Sequence, residues 1–236
     1  MLPDLLGPLR VHATGGSDRR GGGDGPAILL CHGFGAPGDD LVSLARVIDA
    51  GAGVRWFFPE APLTLPWGGR AWWPLDMERI EAMQRRGDPR ALAGETPDGL
   101  APARAALEAT IAALETERGV TRDKLLVGGF SQGAMITAEI ALHADRPFAG
   151  LAGISGNLLS SDRWAEAAQR SGPSLHAFLA HGRQDPVLPF AGAEALRALL
   201  EKAGAKVTWV AHGGQHEIPP AVVTGLGAFA RQRFSA

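Results

Sequence analysis

Apolar residues recur in two alternating arrangements along the chain, and together they predict a sheet flanked by helices. Short, continuously apolar runs are typical of strands covered on both faces, and they occur at residues 27–31, 54–58, 125–129, 149–154, 175–180 and 206–211. Apolar residues spaced three and four apart predict helices at residues 41–50, 101–118, 132–144, 162–170, 190–203 and 220–234. The alternation indicates an α/β fold with a mostly parallel central sheet and helices on both faces.

Three stretches depart from this rhythm. The glycine-rich, charged residues 15–25 predict a flexible turn. Residues 9–13 predict a short strand before this turn that pairs with the strand after the turn. Residues 60–100 combine prolines and tryptophans without a clear element, and a loop of that length is usually functional or disordered. We find no repeat and no linker, so residues 1–236 are predicted to form a single domain.

Composition narrows the class of protein. The 236 residues are 45% apolar and 20% charged with a net charge of −2, and they form no basic stripe, so we expect no nucleic-acid partner. No segment approaches the roughly 18 apolar residues of a membrane helix, which predicts no stable membrane insertion. The first residues do not resemble a signal peptide, and the single cysteine, Cys31, fits a reducing compartment, so we expect a cytoplasmic protein.

The stretch Gly129-Phe130-Ser131-Gln132-Gly133 joins a predicted strand to a predicted helix. A sharp strand-to-helix turn exposes a serine hydroxyl beside a base, and glycines two residues before and after remove side chains that would collide there. The helix that follows also points its amides at the reacting group. Ser131 is therefore the candidate nucleophile, the alternative being an ordinary glycine turn with a capping serine.

Candidates for the acid and the base follow later strands, in the chain order expected for this kind of elbow. Asp185 follows the strand at 175–180 and is the candidate acid, although an aspartate there could instead cap the helix from Phe190. His216 follows the strand at 206–211 and is the preferred base, with His212 as its rival. The other histidines are interpreted as surface or packing residues: His12, His32, His143, His176 and His181. They do not cluster, so no metal site is predicted.

The first core strand ends in His32-Gly33-Phe34-Gly35. A carbonyl under attack develops negative charge on its oxygen, and two N–H groups aimed at that oxygen stabilise it strongly. We expect the backbone N–H groups of Phe34 and Gln132 to form this oxyanion hole. Cys31, just before the loop, is interpreted as a small core residue rather than a nucleophile.

These motifs resemble the phospholipase/carboxylesterase family of α/β-hydrolases over roughly residues 26–235. The resemblance implies a metal-free, cofactor-free esterase with Ser131, Asp185 and His216 as its triad. It also implies substrates among short-to-medium acyl esters, lysophospholipids and acyl thioesters. The segments that carry it are Leu30 to Gly35, Phe58 to Pro62, Gly128 to Gly133, His181 to Pro186 and Gly214 to His216. The chain departs from the family after Gly35 and in a longer charged insertion after residue 76, which leaves the substrate open.

Aromatic and apolar side chains in the irregular segment predict a substrate pocket, since small-ligand pockets favour such linings. The candidates are Leu65, Trp67, Trp72 and Trp73, and the alternative is that the tryptophans pack as a small core of their own. Residues 76–88 mix apolar and charged positions, which fits either an amphipathic lid helix or a solvated surface helix.

Taken together, the sequence predicts a serine carboxylesterase acting on a small-molecule ester or thioester without a cofactor. A lysophospholipase, an acyl thioesterase and a peptidase or amidase could use the same triad, and a non-catalytic acyl-binding protein is the alternative of another class. Exposed tryptophans would favour self-association or lipid contact, so a homo-oligomer stays open.

Overall fold

A computed structural model describes residues 2–76, 78 and 93–235. Its strands are β1 (Asp4–Leu6), β2 (Leu9–Gly16), β3 (Arg20–Gly22), β4 (Ala27–Cys31), β5 (Arg55–Pro59), β6 (Leu63–Thr64), β7 (Arg70–Ala71), β8 (Leu125–Phe130), β9 (Gly150–Ile154), β10 (His176–Gly182) and β11 (Lys206–His212). Its α-helices are α1 (Leu100–Arg118), α2 (Gln132–His143), α3 (Ser161–Ser171), α4 (Phe190–Lys202) and α5 (Pro220–Phe234). Short 3₁₀ helices occupy Val42–Arg46, Arg122–Lys124 and Gly172–Ser174.

The main sheet runs in the order β1-β2-β5-β4-β8-β9-β10-β11, with β3 beside β2. Every pair along β5-β4-β8-β9-β10-β11 is parallel, whereas β2 pairs antiparallel with both β1 and β5. Each of β4, β5, β8 and β9 is buried along most or all of its length, as their continuous apolar sequence predicted. The predicted fold, a mostly parallel sheet with helices on both faces, is confirmed.

The two faces of the sheet carry separate cores because alternate residues of a strand point to opposite sides. In β4, Leu29 packs into the core that holds the buried residues of α1 to α4, whereas Ile28 packs into the core beneath α5. Helix α2 is buried along almost its whole length, from Gln132 to Leu142. Among the described helices, none has both the length and the apolarity to cross a membrane.

Parallel strands bring the loops that follow them to one edge of the sheet. The loops after β4, β8, β10 and β11 therefore start from the same carboxyl-terminal edge, where ligands gather in open α/β sheets. The predicted triad and oxyanion residues lie in these four loops or in the first turn of the helix that follows β8, whereas the pocket candidates at 65–73 lie in the segment after β5.

Three local predictions were wrong. Strand β2 pairs with β1, β3 and β5 but not with β4, the strand that follows the predicted turn. Residues 15–25 include β3, where the amides of Arg20 and Gly22 donate to the Asp18 carboxylate. The helix predicted at 41–50 is a five-residue 3₁₀ helix with no buried residue. The irregular stretch contains the two-stranded hairpin β6–β7.

Candidate active site

The turn between β8 and α2 holds Ser131 in a conformation rare for a residue with a side chain. Its φ is 56° and its ψ is −119°. Its amide donates to the Ile154 carbonyl of the neighbouring strand at 2.9 Å, and its carbonyl accepts from the amides of Ala134 and Met135. The serine is half-buried, so its strained backbone is fixed from both sides while the residue keeps access to solvent.

The two glycines around Ser131 are required by close backbone contacts. A Cβ on Gly133 would lie 2.0 Å from the carbonyl oxygen of Cys31, and one on Gly129 would lie 2.5 Å from the same atom. The helix start can therefore approach the end of β4 only without these side chains. Burial raises the pKa of the Cys31 thiol, which fits its prediction as a core residue.

The acid and base candidates meet across the loops after β10 and β11. Nδ1–H of His216 donates to Oδ2 of Asp185 at 2.7 Å. This bond leaves Nε2 of His216 as the nitrogen that can accept a proton. The imidazole also packs against Phe130, the residue before Ser131, with ring centroids 4.7 Å apart. The base candidate is thus attached to the acid candidate and adjoins the elbow.

The rival histidine makes different contacts. Nδ1 of His212 accepts from the amide of Gly214 at 3.3 Å, and burial lowers the pKa of His212. Its bond is to its own loop, whereas His216 reaches the carboxylate. These contacts favour His216 as the base.

Asp185 sits in a dense set of hydrogen-bond donors. Its side chain is fully buried; Oδ1 accepts from the amides of Val187 and Leu188 at 2.8 and 2.9 Å, which is a cap-like contact. Nε2 of His181 lies 3.2 Å from Oδ2 and 2.9 Å from the Leu188 carbonyl. Burial alone would raise the pKa of Asp185, but the hydrogen bonds from His181, His216 and Leu188 outweigh it and hold that pKa well below its ordinary value.

His181 is a site residue that sequence reasoning missed, since it was interpreted as a packing residue. Its side chain is completely buried, as expected for packing, yet its Nε2 contacts the same carboxylate oxygen as His216. The spacing of four residues between His181 and Asp185, across the end of β10, is the signal that could have identified it.

Two backbone amides near Ser131, those of Gln132 and Phe34, are the candidates for binding the oxyanion. Gln132 is the first residue of α2, whose N–H has no partner inside the helix. The Phe34 amide lies on the loop after β4, and a Cβ on the preceding Gly33 would lie only 3.3 Å from Cβ of Ser131. Within the described residues neither amide donates a hydrogen bond, so both are available to an oxyanion.

The loop that carries Phe34 is fixed by His32. Nδ1 of His32 donates to the Gly33 carbonyl at 2.7 Å, and Nε2 accepts from the Ala61 amide at 2.9 Å. Accepting an N–H requires Nε2 to be unprotonated, so the ring is neutral, and burial also lowers the pKa of His32. His32, predicted to be a packing residue, thereby ties the loop to the start of the irregular segment.

The four candidates for the substrate pocket differ in how far their side chains are buried. Trp67 is 66% exposed and stands edge-on to Phe34, with ring centroids 6.4 Å apart, and Leu65 is half-buried in the same hairpin. Trp72 and Trp73 are each 1% exposed and belong to the main core. The expectation that this pair lines the pocket is therefore corrected, because side chains packed on all sides have no surface left for an acyl chain. The alternative, that the tryptophans pack, describes both residues.

Apart from residues 76 and 78, the amphipathic stretch 76–88 lies outside the described residues, and with it the predicted lid. Among the residues that are described, no three His, Cys, Asp or Glu side chains come together in a way that could hold a metal ion.

Known proteins with similar sequences or structures include some that are named as esterases or thioesterases. The sequence model of a family described as phospholipase/carboxylesterase matches residues 22–232. A Schizosaccharomyces pombe protein named acyl-protein thioesterase 1 is 28% identical over 167 residues, 69% of each chain. The crystal structure of esterase PE8 superposes with a TM-score of 0.78 at 25% identity, covering 97% of this chain and 99% of that one. The Bacillus cereus carboxylesterase gives a TM-score of 0.72 at 21% identity over 95% and 94% of the two chains.

Proposed function

The chain belongs to the phospholipase/carboxylesterase family of α/β-hydrolases, and on that premise we propose that it is a serine carboxylesterase that cleaves short-to-medium acyl esters. In this proposal Ser131 is the nucleophile, His216 the base and Asp185 the acid. The observation that carries it is the 2.7 Å bond from Nδ1 of His216 to Asp185, made by an imidazole that packs beside the serine elbow. No cofactor is required.

The reaction follows from the hydrogen bonds. Nε2 of His216 removes the proton of the Ser131 hydroxyl as its oxygen attacks the ester carbonyl, and Asp185 stabilises the imidazolium that forms. The amides of Phe34 and Gln132 bind the oxyanion. The imidazolium then protonates the departing alkoxide, which leaves an acyl-serine. Water, deprotonated by His216, attacks this acyl group and releases the acid and the free serine.

We place the acyl group of the substrate near the β6–β7 hairpin. Trp67 and Leu65 are proposed as contacts because they lie in that hairpin and Trp67 adjoins Phe34, one of the two oxyanion donors. An exposed tryptophan beside the reacting centre fits an apolar acyl chain that leaves water as it binds.

The direct test compares two serines that both have a positive φ. Ser131 and Ser155 have φ values of 56° and 50°, and each lies at the carboxyl end of its strand, β8 and β9 respectively. We expect Ser131→Ala to abolish hydrolysis of p-nitrophenyl butyrate with a nearly unchanged melting temperature, and Ser155→Ala to keep turnover. A fluorophosphonate probe should label the wild type and Ser155→Ala but not Ser131→Ala. Retained turnover in Ser131→Ala would refute the assignment.

Thioesters are the second candidate substrates, since the relatives compared include a protein named acyl-protein thioesterase 1. The same triad would serve, with a thiolate rather than an alkoxide as the leaving group. Matched acyl oxygen esters and thioesters of two to sixteen carbons, compared by kcat/KM, decide between the two preferences. A non-catalytic acyl-binding protein, the alternative of another class, would bind these acyl groups but leave the fluorophosphonate unreacted. Lysophospholipids belong in the same panel.

A further inference from the structure

One buried residue, Trp72, is hydrogen-bonded both to the loop that carries Phe34 and to the side chain of Gln132, the two residues whose amides are the proposed oxyanion donors. Its backbone N–H donates to Oε1 of Gln132 at 2.8 Å, and the carbonyl of Trp73 accepts from Nε2 of the same carboxamide at 2.9 Å. The indole N–H of Trp72 donates to the carbonyl of His32, two residues before Phe34, at 3.0 Å. Trp72, Gln132 and His32 are each 1% exposed, so water does not compete for these bonds.

The Phe34 loop needs such support because its own sequence gives it little rigidity. Gly35 has a φ of 81°, and a glycine on each side of Phe34 widens the conformations open to the unfastened loop. Besides the bonds of His32 to Gly33 and Ala61, hydrogen bonds from residues 70–72 hold the loop. The Gly35 amide donates to the Arg70 carbonyl, and the Arg70 amide donates to the Ala36 carbonyl, both at 2.8 Å.

The side chain of Gln132 supports the second proposed oxyanion donor, the backbone N–H of the same residue. Both polar atoms of its carboxamide are hydrogen-bonded to the backbone of residues 72 and 73. The backbone of helix α2 and the loop after β4 are thus joined through one tryptophan. We propose that Trp72 is a positioning residue that fixes the separation of the Phe34 and Gln132 amides. This inference rests on the proposed function.

Two other roles for Trp72 make different predictions. An acyl-pocket residue would contact the substrate, and its replacement would cost more for long acyl chains than for short ones. If Trp72 only filled the core, its replacement would lower stability without a specific loss of catalysis. If Trp72 is a positioning residue, its replacement should lower kcat/KM equally for all acyl-chain lengths, since the oxyanion is common to all the substrates.

A second buried tryptophan provides the matched control. Nε1–H of Trp164, on α3, donates to Oε2 of Glu139 at 2.6 Å, and the side chain is fully buried in the same core as Trp72. Trp72→Phe and Trp164→Phe remove the same indole N–H and the same volume from one core, but the Trp164 N–H donates to a carboxylate and the Trp72 N–H to a carbonyl. Trp164→Phe should therefore lose at least as much thermal stability as Trp72→Phe.

The expected difference is catalytic. Trp72→Phe should lower kcat/KM about tenfold from acetate to octanoate esters, below the loss for deleting an oxyanion donor outright, while KM changes less than twofold. A trifluoromethyl ketone, whose adduct with the serine carries an oxyanion, should inhibit Trp72→Phe about tenfold more weakly. Trp164→Phe should match the wild type in both measurements. Equal effects in the two variants, or a loss that grows with chain length, would overturn the inference.

A second substitution covers the case in which Trp72→Phe does not fold. Replacing Trp72 with β-(3-benzothienyl)alanine puts sulfur in place of the N–H in a ring of nearly equal size, and the same tenfold losses are expected. Unchanged kinetics would contradict the positioning role. A wild type that neither hydrolyses esters nor reacts with fluorophosphonate would instead remove the proposed function, and this inference with it.

Discussion

Replacing Gly133 with alanine tests whether the close contact between α2 and β4 sets the catalytic geometry. The new Cβ would lie 2.0 Å from the carbonyl oxygen of Cys31, 2.5 Å from its carbonyl carbon and 2.6 Å from the carbonyl oxygen of His32. Ordinary van der Waals contact begins at about 3.4 Å, so the two segments must separate by more than 1 Å. Both are backbone in the core, and neither can turn aside as a flexible side chain would.

The size of the effect follows from two opposing contributions. Alanine is a better helix former than glycine by about 1 kcal/mol, whereas overpacking a rigid core costs about 1–3 kcal/mol and sometimes more. We expect Gly133→Ala to lose about 2 kcal/mol, or about 4–8 °C in melting temperature for a chain of this length. Because the separation opens between the loop of Phe34 and the helix of Gln132, kcat/KM should fall about a hundredfold.

Thermal unfolding and steady-state hydrolysis of p-nitrophenyl butyrate measure the two effects. Gly213→Ala is the control, since a Cβ on Gly213 meets nothing within 4 Å although this glycine lies in the loop that carries His216. We expect it to stay within twofold of the wild type in kcat/KM. If Gly133→Ala retains wild-type activity and melting temperature, the close approach of α2 to β4 does not govern the site.

Two further predictions concern the acid. Hydrogen bonds hold the pKa of Asp185 below the value of about 3.9 for an unfolded chain, so its stabilising contribution is present above about pH 4 and is lost as the pH falls. Asp185→Asn should therefore flatten the dependence of the unfolding free energy on pH below 4, measured by urea titration; an unchanged slope would contradict this. His181→Leu removes a donor to the carboxylate, which strengthens the attraction of Asp185 for the His216 imidazolium and should move the acidic limb of kcat/KM to higher pH. His181→Gln keeps an N–H donor and should stay near the wild-type profile; coincident profiles for both variants would refute the role of His181.

The parts of the fold that were predicted are those fixed by local patterns. A continuously apolar run such as β4 reads as a buried strand because both faces of a parallel sheet are covered. The stretch at 41–50 misled because apolar spacing of three and four is shared by α-helices and shorter helical turns. The apolar residues of the 3₁₀ helix Val42–Arg46 pack against the core only partly buried, which gives an α-helix there little tertiary support.

The site was predictable to the extent that it depends on chain order. Ser131, Asp185 and His216 each follow a strand of one parallel sheet, so topology alone brings their loops to the same edge. The bonds that orient these loops were not predictable. Trp72 is separated from Gln132 by 60 positions and from His32 by 40, and no local pattern indicates that they meet.

The sequence placed Trp72 and Trp73 in the substrate pocket because their long-range contacts are not visible in a local pattern. In a proline-rich segment, a tryptophan that lines a pocket and one that braces a loop produce the same sequence pattern; their contacts distinguish them. The glutamine after the serine, Gln132, is consistent with the bracing role, because its carboxamide is hydrogen-bonded to the backbone of both tryptophans and its own backbone amide is a proposed oxyanion donor. A residue that belongs to a family motif can therefore make hydrogen bonds to residues that are tens of positions away in the sequence. For this chain, these bonds connect the irregular segment to the proposed oxyanion donors, and Trp67 replaces Trp72 and Trp73 as the aromatic contact proposed for the substrate.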